Sequence, residues 1–402
     1  MDVLQPVIRP YAWGSRTGIA ELQGRPVPTA GPEAELWMGA HPSAPSVVVR
    51  DGAAVRLDAV IAAAPDRELG AECAARFGGR LPFLLKVLSA EAALSIQVHP
   101  SRAQAEAGYR AENSRGLAIN DPSRNYVDDW PKPELLCALT PFEVLAGMRT
   151  PAEATELLRT LRVGRLRAAG VELALTGGAQ DALGCALASI LSWPADDRGA
   201  LIEDVAMACS RVTSGPYAAA CAAIVRVADD HPGDIGIVGS LLLRHAVLQP
   251  GEAVFMPAGG LHAYLRGTGI EVLANSDNVV RAGLTGKHID VPELLKLLDP
   301  AVAVPVLHPD VLGDGVMGYG DRAPEFRLFR VDLDGDAKEP AGVTLPGTGP
   351  RIVLCISGAV VLRNSAGDTV KVGRGESAFV SAGDAAVSGA GPGQVFVATA
   401  GL

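Results

Sequence analysis

The feature that most constrains how this chain can fold is Gln97-Val98-His99, which closes the apolar run around Leu94-Ser95-Ile96. On a strand, side chains alternate with period two, so Gln97 and His99 project from the same face. Lys132-Pro133-Glu134 and Gly260-Leu261-His262 follow far downstream. Brought together, two imidazoles, one carboxylate and one amide can converge on one metal. An N/O site with an open position for water or substrate suits catalytic zinc, although an amide is an uncommon ligand.

A chain of 402 residues exceeds what one hydrophobic core usually supports, so two or three domains are expected. Thirty-five basic against 45 acidic residues give a formal charge of −10, which argues against a nucleic-acid surface and leaves any anionic substrate to a few local cations. The six cysteines (Cys73, Cys137, Cys185, Cys209, Cys221 and Cys355) are scattered singly and read as buried thiols of a reducing compartment. With no signal-like start and no apolar stretch of ~20 residues, the expectation is a cytoplasmic protein without a membrane span.

Residues 1 to about 145 combine Gly, Pro and short apolar runs, which fits strands and turns. From about 146 to 245 the texture becomes Ala- and Leu-rich with helical spacing. This segment opens at Thr150-Pro151-Ala152-Glu153 and is interrupted at Thr176-Gly177-Gly178 and Pro232-Gly233. Strand and turn patterns then resume from Val247. Residues 1–145 and 246–300 are thus expected to form one β-module, 146–245 a helical insertion, and 301–402 a second β-module.

An internal echo links the two β-modules. Pro250-Gly251-Glu252 resembles Arg374-Gly375-Glu376, and laying Gly251 on Gly375 places Ala386 opposite His262. The second copy keeps the turn and lacks the ligand. Glycine-glutamate turns, a metal-binding histidine and Greek-key closure are the pattern of jelly rolls, cupins among them. The expected fold class is mainly β, with two cupin-like jelly-roll modules and a helical domain.

Five ordered blocks carry a closer resemblance: Tyr11-Ala12-Trp13-Gly14-Ser15, Glu35 to Ser43 (ELWMGAHPS), Leu94 to Pro100 (LSIQVHP), Lys132-Pro133-Glu134, and Asp277 to Thr285 (DNVVRAGLT). Together they resemble the type I mannose-6-phosphate isomerase family from residue 11 to about 300. The resemblance implies one zinc per chain held by Gln97, His99, Glu134 and His262. It also implies a cytosolic, expectedly monomeric enzyme that interconverts mannose 6-phosphate and fructose 6-phosphate, a step that feeds GDP-mannose biosynthesis.

Arg281, Lys132, Glu271, Lys287 and Ser95 fall at positions the family places in or around the sugar-phosphate pocket, and Arg102 where it often has a lysine; Arg281, Lys132 and Glu271 are taken as catalytic and Ser95, Lys287, Arg102 and Trp13 as substrate-binding. Moving a carbonyl between C1 and C2 means taking a proton from the carbon beside it and returning it next door through an enediol. Fixed positive charge from Arg281 or Lys132 suits the developing oxyanion. Glu271 is the first choice for the base. Glu134 leads into the apolar run Leu135 to Leu139, where an unpaired charge is costly, so a cation partner is expected for it.

One departure from the family stands out. Trp130-Pro131 replaces the usual Asn-His before Lys-Pro-Glu, so no duty of that histidine transfers to this chain. His41, His231, His245, His288 and His308 are read as structural or surface histidines. Two rival functions are an iron-dependent cupin oxygenase built on His99, Glu134 and His262, and a non-catalytic sugar-phosphate sensor. Gln97 and the nearby cations oppose the first; retention of Arg281 and of every ligand opposes the second.

Overall fold

The computed structural model describes residues 1–176, 181–334, 342–384 and 386–402. Antiparallel pairing dominates it. One sheet runs in the order Leu243–Leu248, Phe142–Met148, His262–Ala274, Phe83–Ala90, Glu35–Met38 and Val7–Arg9. Its long strand His262–Ala274 also pairs with Ile96–Val98, through His262 and Gln97, and with Glu134–Ala138. Every polar block of the sequence therefore meets this strand or its direct neighbour. A register shift between Tyr264 and Arg266 inserts one residue into it.

Alternation sets which side chains face the site. Ile96 and Val98, Leu261 and Ala263, and Val280 and Ala282 are buried in one apolar core with the helical layer. Gln97, His262 and Arg281, lying between those pairs, are turned the opposite way. Each large aliphatic side chain buried contributes roughly 1.5–3 kcal/mol, and a one-residue slip would exchange the two faces, so the apolar residues fix the direction of the polar ones.

The helical layer comprises Pro151–Leu161, Gly164–Ala168, Val171–Thr176, Ala182–Leu191, Arg198–Ser210 and Ala218–Asp230. Its first helix starts at a capping box: Thr150 Oγ1 accepts from the Glu153 amide at 3.2 Å, and the Glu153 carboxylate accepts from the Thr150 amide at 2.7 Å. Its last helix stops before Pro232-Gly233, where Gly233 takes a φ of 82°. The break expected at Gly177-Gly178 lies outside the described residues.

The second sheet runs Asp2–Leu4, Ser377–Val380, Arg351–Asn364, Gly393–Thr399, Arg327–Leu333, Val316–Gly318 and Asp310–Gly313. Asp2–Leu4 departs from the division by residue number: it belongs to this sheet and covers the edge of Ser377–Val380. The sheets share an apolar core, with Leu85, Val87, Leu135 and Ile270 from one and Leu328, Ile352, Phe379 and Phe396 from the other.

The echoed turns match atom for atom. Gly251 and Gly375 have φ of 90° and 78°, a region that favours glycine. The Glu252 carboxylate accepts from the Gln249 amide at 2.8 Å, and the Glu376 carboxylate from the Gly373 amide at 2.8 Å. Among the described residues no helix is long and apolar enough to cross a membrane. Five of the six cysteines are buried as expected, whereas Cys185 is exposed on the helix Ala182–Leu191.

Candidate metal centre

Gln97 and His262 occupy one rung, and Arg281 sits across from Gln97 on the other side. His99 follows directly after the same strand, and Glu134 opens the strand that pairs with the far half of His262–Ala274. His99 Nε2 lies 3.3 Å from Glu134 Oε1, and His262 Nε2 lies 3.3 Å from Glu134 Oε2. The Gln97 amide nitrogen is 3.3 Å from His262 Nε2. A half-turn of that amide brings its oxygen to the same point.

Both imidazoles are oriented by the backbone. His99 Nδ1 donates to the Asn278 carbonyl at 2.8 Å, and His262 Nδ1 to the Gly260 carbonyl at 3.1 Å. Each Nε2 lone pair is left facing Glu134, the arrangement that metal-ligating histidines require. Ligand atoms of His99, Glu134 and His262 all lie within 4.8 Å of one another. His99 Nε2 and Glu134 Oε2 are buried without a hydrogen-bond partner. Two buried lone-pair donors that cannot hydrogen-bond each other are what a cation would satisfy, so these residues fit a metal.

Electrostatics reinforce that reading. Burial takes His99 down to about 4, which keeps its imidazole neutral. Burial pushes the Glu134 carboxyl up, but Lys132 and the imidazoles outweigh it and hold the group well below the usual range. Lys132 Nζ, 3.1 Å from Glu134 Oε1, is the cation partner expected for a carboxylate at the head of a buried strand.

A second charged group stands beside the first. Lys86 Nζ lies 3.3 Å from Glu271 Oε2 and 3.6 Å from Glu35 Oε1, and Trp37 Nε1 donates to the Glu35 carboxylate at 2.6 Å. Burial opposes the charge on Lys86, yet the two carboxylates hold its ammonium above the ordinary lysine range. Burial, the largest influence on Glu271, pushes its carboxyl up to about 7 against the pull of Lys86.

These groups line a cavity of about 590 Å³, and Trp13, Ser95, Gln97, Lys132, Glu134, Glu271, Arg281 and Lys287 all reach it. Arg281 is half-buried, which lowers its pKa, and among the described residues no carboxylate lies within ion-pair distance of it. Arg102 is a correction. It lies outside the cavity, 3.1 Å from Glu325 and over the Trp130 ring at 5.4 Å. Ser101 caps the helix Arg102–Ser114, so the next side chain leaves the line of His99 and turns to the second module.

Trp130 also faces away from the cavity, packed on Phe77 with the Arg80 guanidinium 4.3 Å from its ring. The loop before Glu134 is held from Asn278, whose side-chain amide donates to the Trp130 carbonyl at 2.8 Å and the Asp128 carbonyl at 2.9 Å. One residue thus ties this loop to the ring of His99.

Sequence reasoning misses Lys86, Glu35, Trp37, Tyr264 and Asp277, all of which line the cavity. Lys86 had a signal: a single lysine within Phe83–Ala90, a strand buried at every position, needs a partner. His231, read as structural, also reaches the cavity. His41 is buried edge-on against Trp37, with Nε2 3.4 Å from Asp277.

Comparison with known proteins gives one consistent answer. Residues 1–151 match the family model described as phosphomannose isomerase type I, catalytic domain. The mannose-6-phosphate isomerase of Salmonella typhimurium is 35% identical over 402 residues, covering 98% of each chain. That of Bos taurus is 32% identical over 382 residues, covering 89% of this chain and 87% of the relative. A solved structure described as mannose 6-phosphate isomerase (holo; zinc bound) superposes with a TM-score of 0.87 at 34% identity, covering 100% of this chain and 99% of the other. Sequence likeness across nearly the whole length and a shared architecture make this chain a member of the type I mannose-6-phosphate isomerase family.

Proposed function

We propose that this chain is a zinc-dependent aldose–ketose isomerase that interconverts D-mannose 6-phosphate and D-fructose 6-phosphate. The observation that carries the reading is the buried His99–Glu134–His262 set, with its orphaned nitrogen and oxygen, beside a cavity that also holds Glu271 and Arg281. Gln97, His99, Glu134 and His262 hold one zinc ion. When bound, zinc supplies a Lewis acid that polarises the sugar carbonyl.

The chain's own residues do the rest. Glu271, poised near neutrality, takes the proton from C2 of the open-chain aldose and returns it to C1, while the hydroxyl proton on O2 passes to O1. Lys86 offsets the negative charge that remains while the base is ionised. Arg281 and Lys132 place fixed positive charge beside the developing enediolate. Trp13, Ser95 and Lys287 contact the sugar phosphate, and Arg102 has no part in that contact. Binding of the phosphate, which takes no part in the bond changes, holds C1 and C2 in position.

Apart from the strand Asp2–Leu4, which joins the second sheet, residues 1–145 and 246–300 form the catalytic module, 146–245 the helical insertion and 301–402 the module without a site. The protein acts as a cytoplasmic monomer, on a small sugar phosphate and on no nucleic acid. The test is conversion of mannose 6-phosphate to fructose 6-phosphate by chelator-stripped protein, before and after zinc is restored, with iron and manganese as controls. Zinc-restored turnover is expected; sugar-phosphate binding without turnover under any metal would favour a sensor instead.

A further inference from the structure

His231 stands at the end of the last helix of the insertion, yet it lines the cavity of the catalytic module. Its ring is pinned on one side only. Nε2 donates to the Ala93 carbonyl at 2.7 Å, while the neighbouring Asp230 carboxylate accepts from the Ala93 amide at 3.3 Å. Among the described residues Nδ1 has no hydrogen-bond partner in the protein.

Charge divides the cavity. Glu35 and Glu271 are paired with Lys86, and Glu134 with Lys132, through the contacts given above. Arg281 and Lys287 have no carboxylate within ion-pair distance among the described residues; Lys287 lies close enough to Arg281 for the two like charges to interact, and Asp277 acts on it in the opposite sense from beyond ion-pair distance. The acids that also line the cavity, Asp230 and Asp277, are engaged with the Ala93 amide and beside His41.

The helix end that carries His231 is tied to the segment bearing these cations, because the Asp234 carboxylate accepts from the Thr285 amide at 2.8 Å. Ser95, two residues beyond the pinned Ala93, adds a hydroxyl to the lining of the same cavity. A lysine without a carboxylate at ion-pair distance, a hydroxyl and one free imidazole nitrogen, with Arg281 adding positive charge nearby on the side of the reacting carbons, match a phosphate monoester.

We propose that His231 is a substrate-binding residue that selects for the phosphate end of the sugar, through a hydrogen bond between Nδ1 and a phosphate oxygen. The bond uses one proton, carried either by an imidazolium facing the dianion or by a phosphate monoanion facing the neutral ring. The helical insertion thereby supplies part of the binding wall. This inference rests on the isomerase reading above.

Two variants separate this role from simple support of the wall. His231→Gln keeps a donor where Nε2 meets the Ala93 carbonyl and removes Nδ1; His231→Asn keeps a donor near Nδ1 and removes the clamp. The readouts are KM and kcat for mannose 6-phosphate, zinc content, and calorimetric affinity for inorganic phosphate on metal-stripped protein. In His231→Gln, KM and the dissociation constant for phosphate should both rise about tenfold or more, the scale of one hydrogen bond to a charged group, and zinc content should hold.

The kcat of that variant should fall by less than KM rises, and His231→Asn should keep phosphate affinity within about threefold. Unaltered KM and phosphate affinity in His231→Gln, loss of zinc, or a larger loss of phosphate affinity in His231→Asn than in His231→Gln would each overturn the proposal. The unsubstituted zinc-loaded protein is assayed first. If it fails to turn over, the isomerase reading falls while the phosphate measurement still judges His231; if it turns over and His231→Gln matches it, only the His231 proposal falls.

Discussion

The two β-modules are built on the same frame and filled with different chemistry. Counting from the matched turns, the rung Glu134–Met256 of the first module corresponds to Arg351–Val380 of the second. The rung Lys86–Glu271 corresponds to Phe329–Val397, and Trp37, beside Lys86, corresponds to Gly318, beside Phe329. A carboxylate becomes a buried arginine, and an ion pair becomes two apolar side chains. Meanwhile the opposite parity stays apolar in both: Leu135 and Ile352 occupy equivalent places in the shared core. One set of alternate residues makes the fold, and the other is free to carry a site or to lose it.

The most damaging way to erase the difference is Glu134→Arg, which gives the first module the residue of the second. It removes a ligand and sets a second positive charge beside Lys132, so bound metal should be lost and turnover should drop by about 10²–10³-fold or more. Metal analysis and steady-state kinetics check this. Retained metal would show that the carboxylate is not what separates the modules.

Lys86→Met probes the ion pair. It leaves Glu35 and Glu271 buried without their cation, so unfolding free energy should fall by about 3–5 kcal/mol in denaturant titration. Replacing Glu35, Lys86 and Glu271 together with Leu, Met and Val, closer to the second module's solution, should recover most of that stability and none of the activity. An unrecovered triple variant would mean that the polar set also supports the fold.

The smallest expected effect is a pH shift. Glu271, raised to about 7, must be ionised to act as base, so kcat/KM should rise with pH through that region. The second module has no carboxylate at the equivalent rung to confuse the profile. Glu35 raises the Glu271 pKa, so Glu35→Gln should move this limb to lower pH by about one unit or less. A limb unmoved, or moved upward, would remove Glu271 from that role.

The frame is legible in the sequence because turn chemistry and period-two alternation are local signals: Gly251 with Glu252, and Gly375 with Glu376, mark their turns without help from distant residues. The grouping of Gln97, His99, Glu134 and His262 follows from strand parity joined to the family blocks. Arg102 misleads because nearness to His99 along the chain stops implying a shared direction once Ser101 starts a helix. Lys86 hides inside an apolar run, where its partners, Glu35 and Glu271, come from strands far apart in sequence. His231 escapes for a related reason: it belongs by texture to the helices and by position to the cavity.

The extra residue between Tyr264 and Arg266 has a consequence for how the catalytic strand divides. Before it, even-numbered positions such as His262 and Tyr264 face inward; after it, the odd-numbered Glu271 does. The strand is thus two reading frames joined by a phase change, one turning His262 toward the candidate metal set and the other turning Glu271 toward the cavity. Without that change of phase Glu271 would trade places with its apolar neighbours, and the two halves of the chemistry could not share a single cavity.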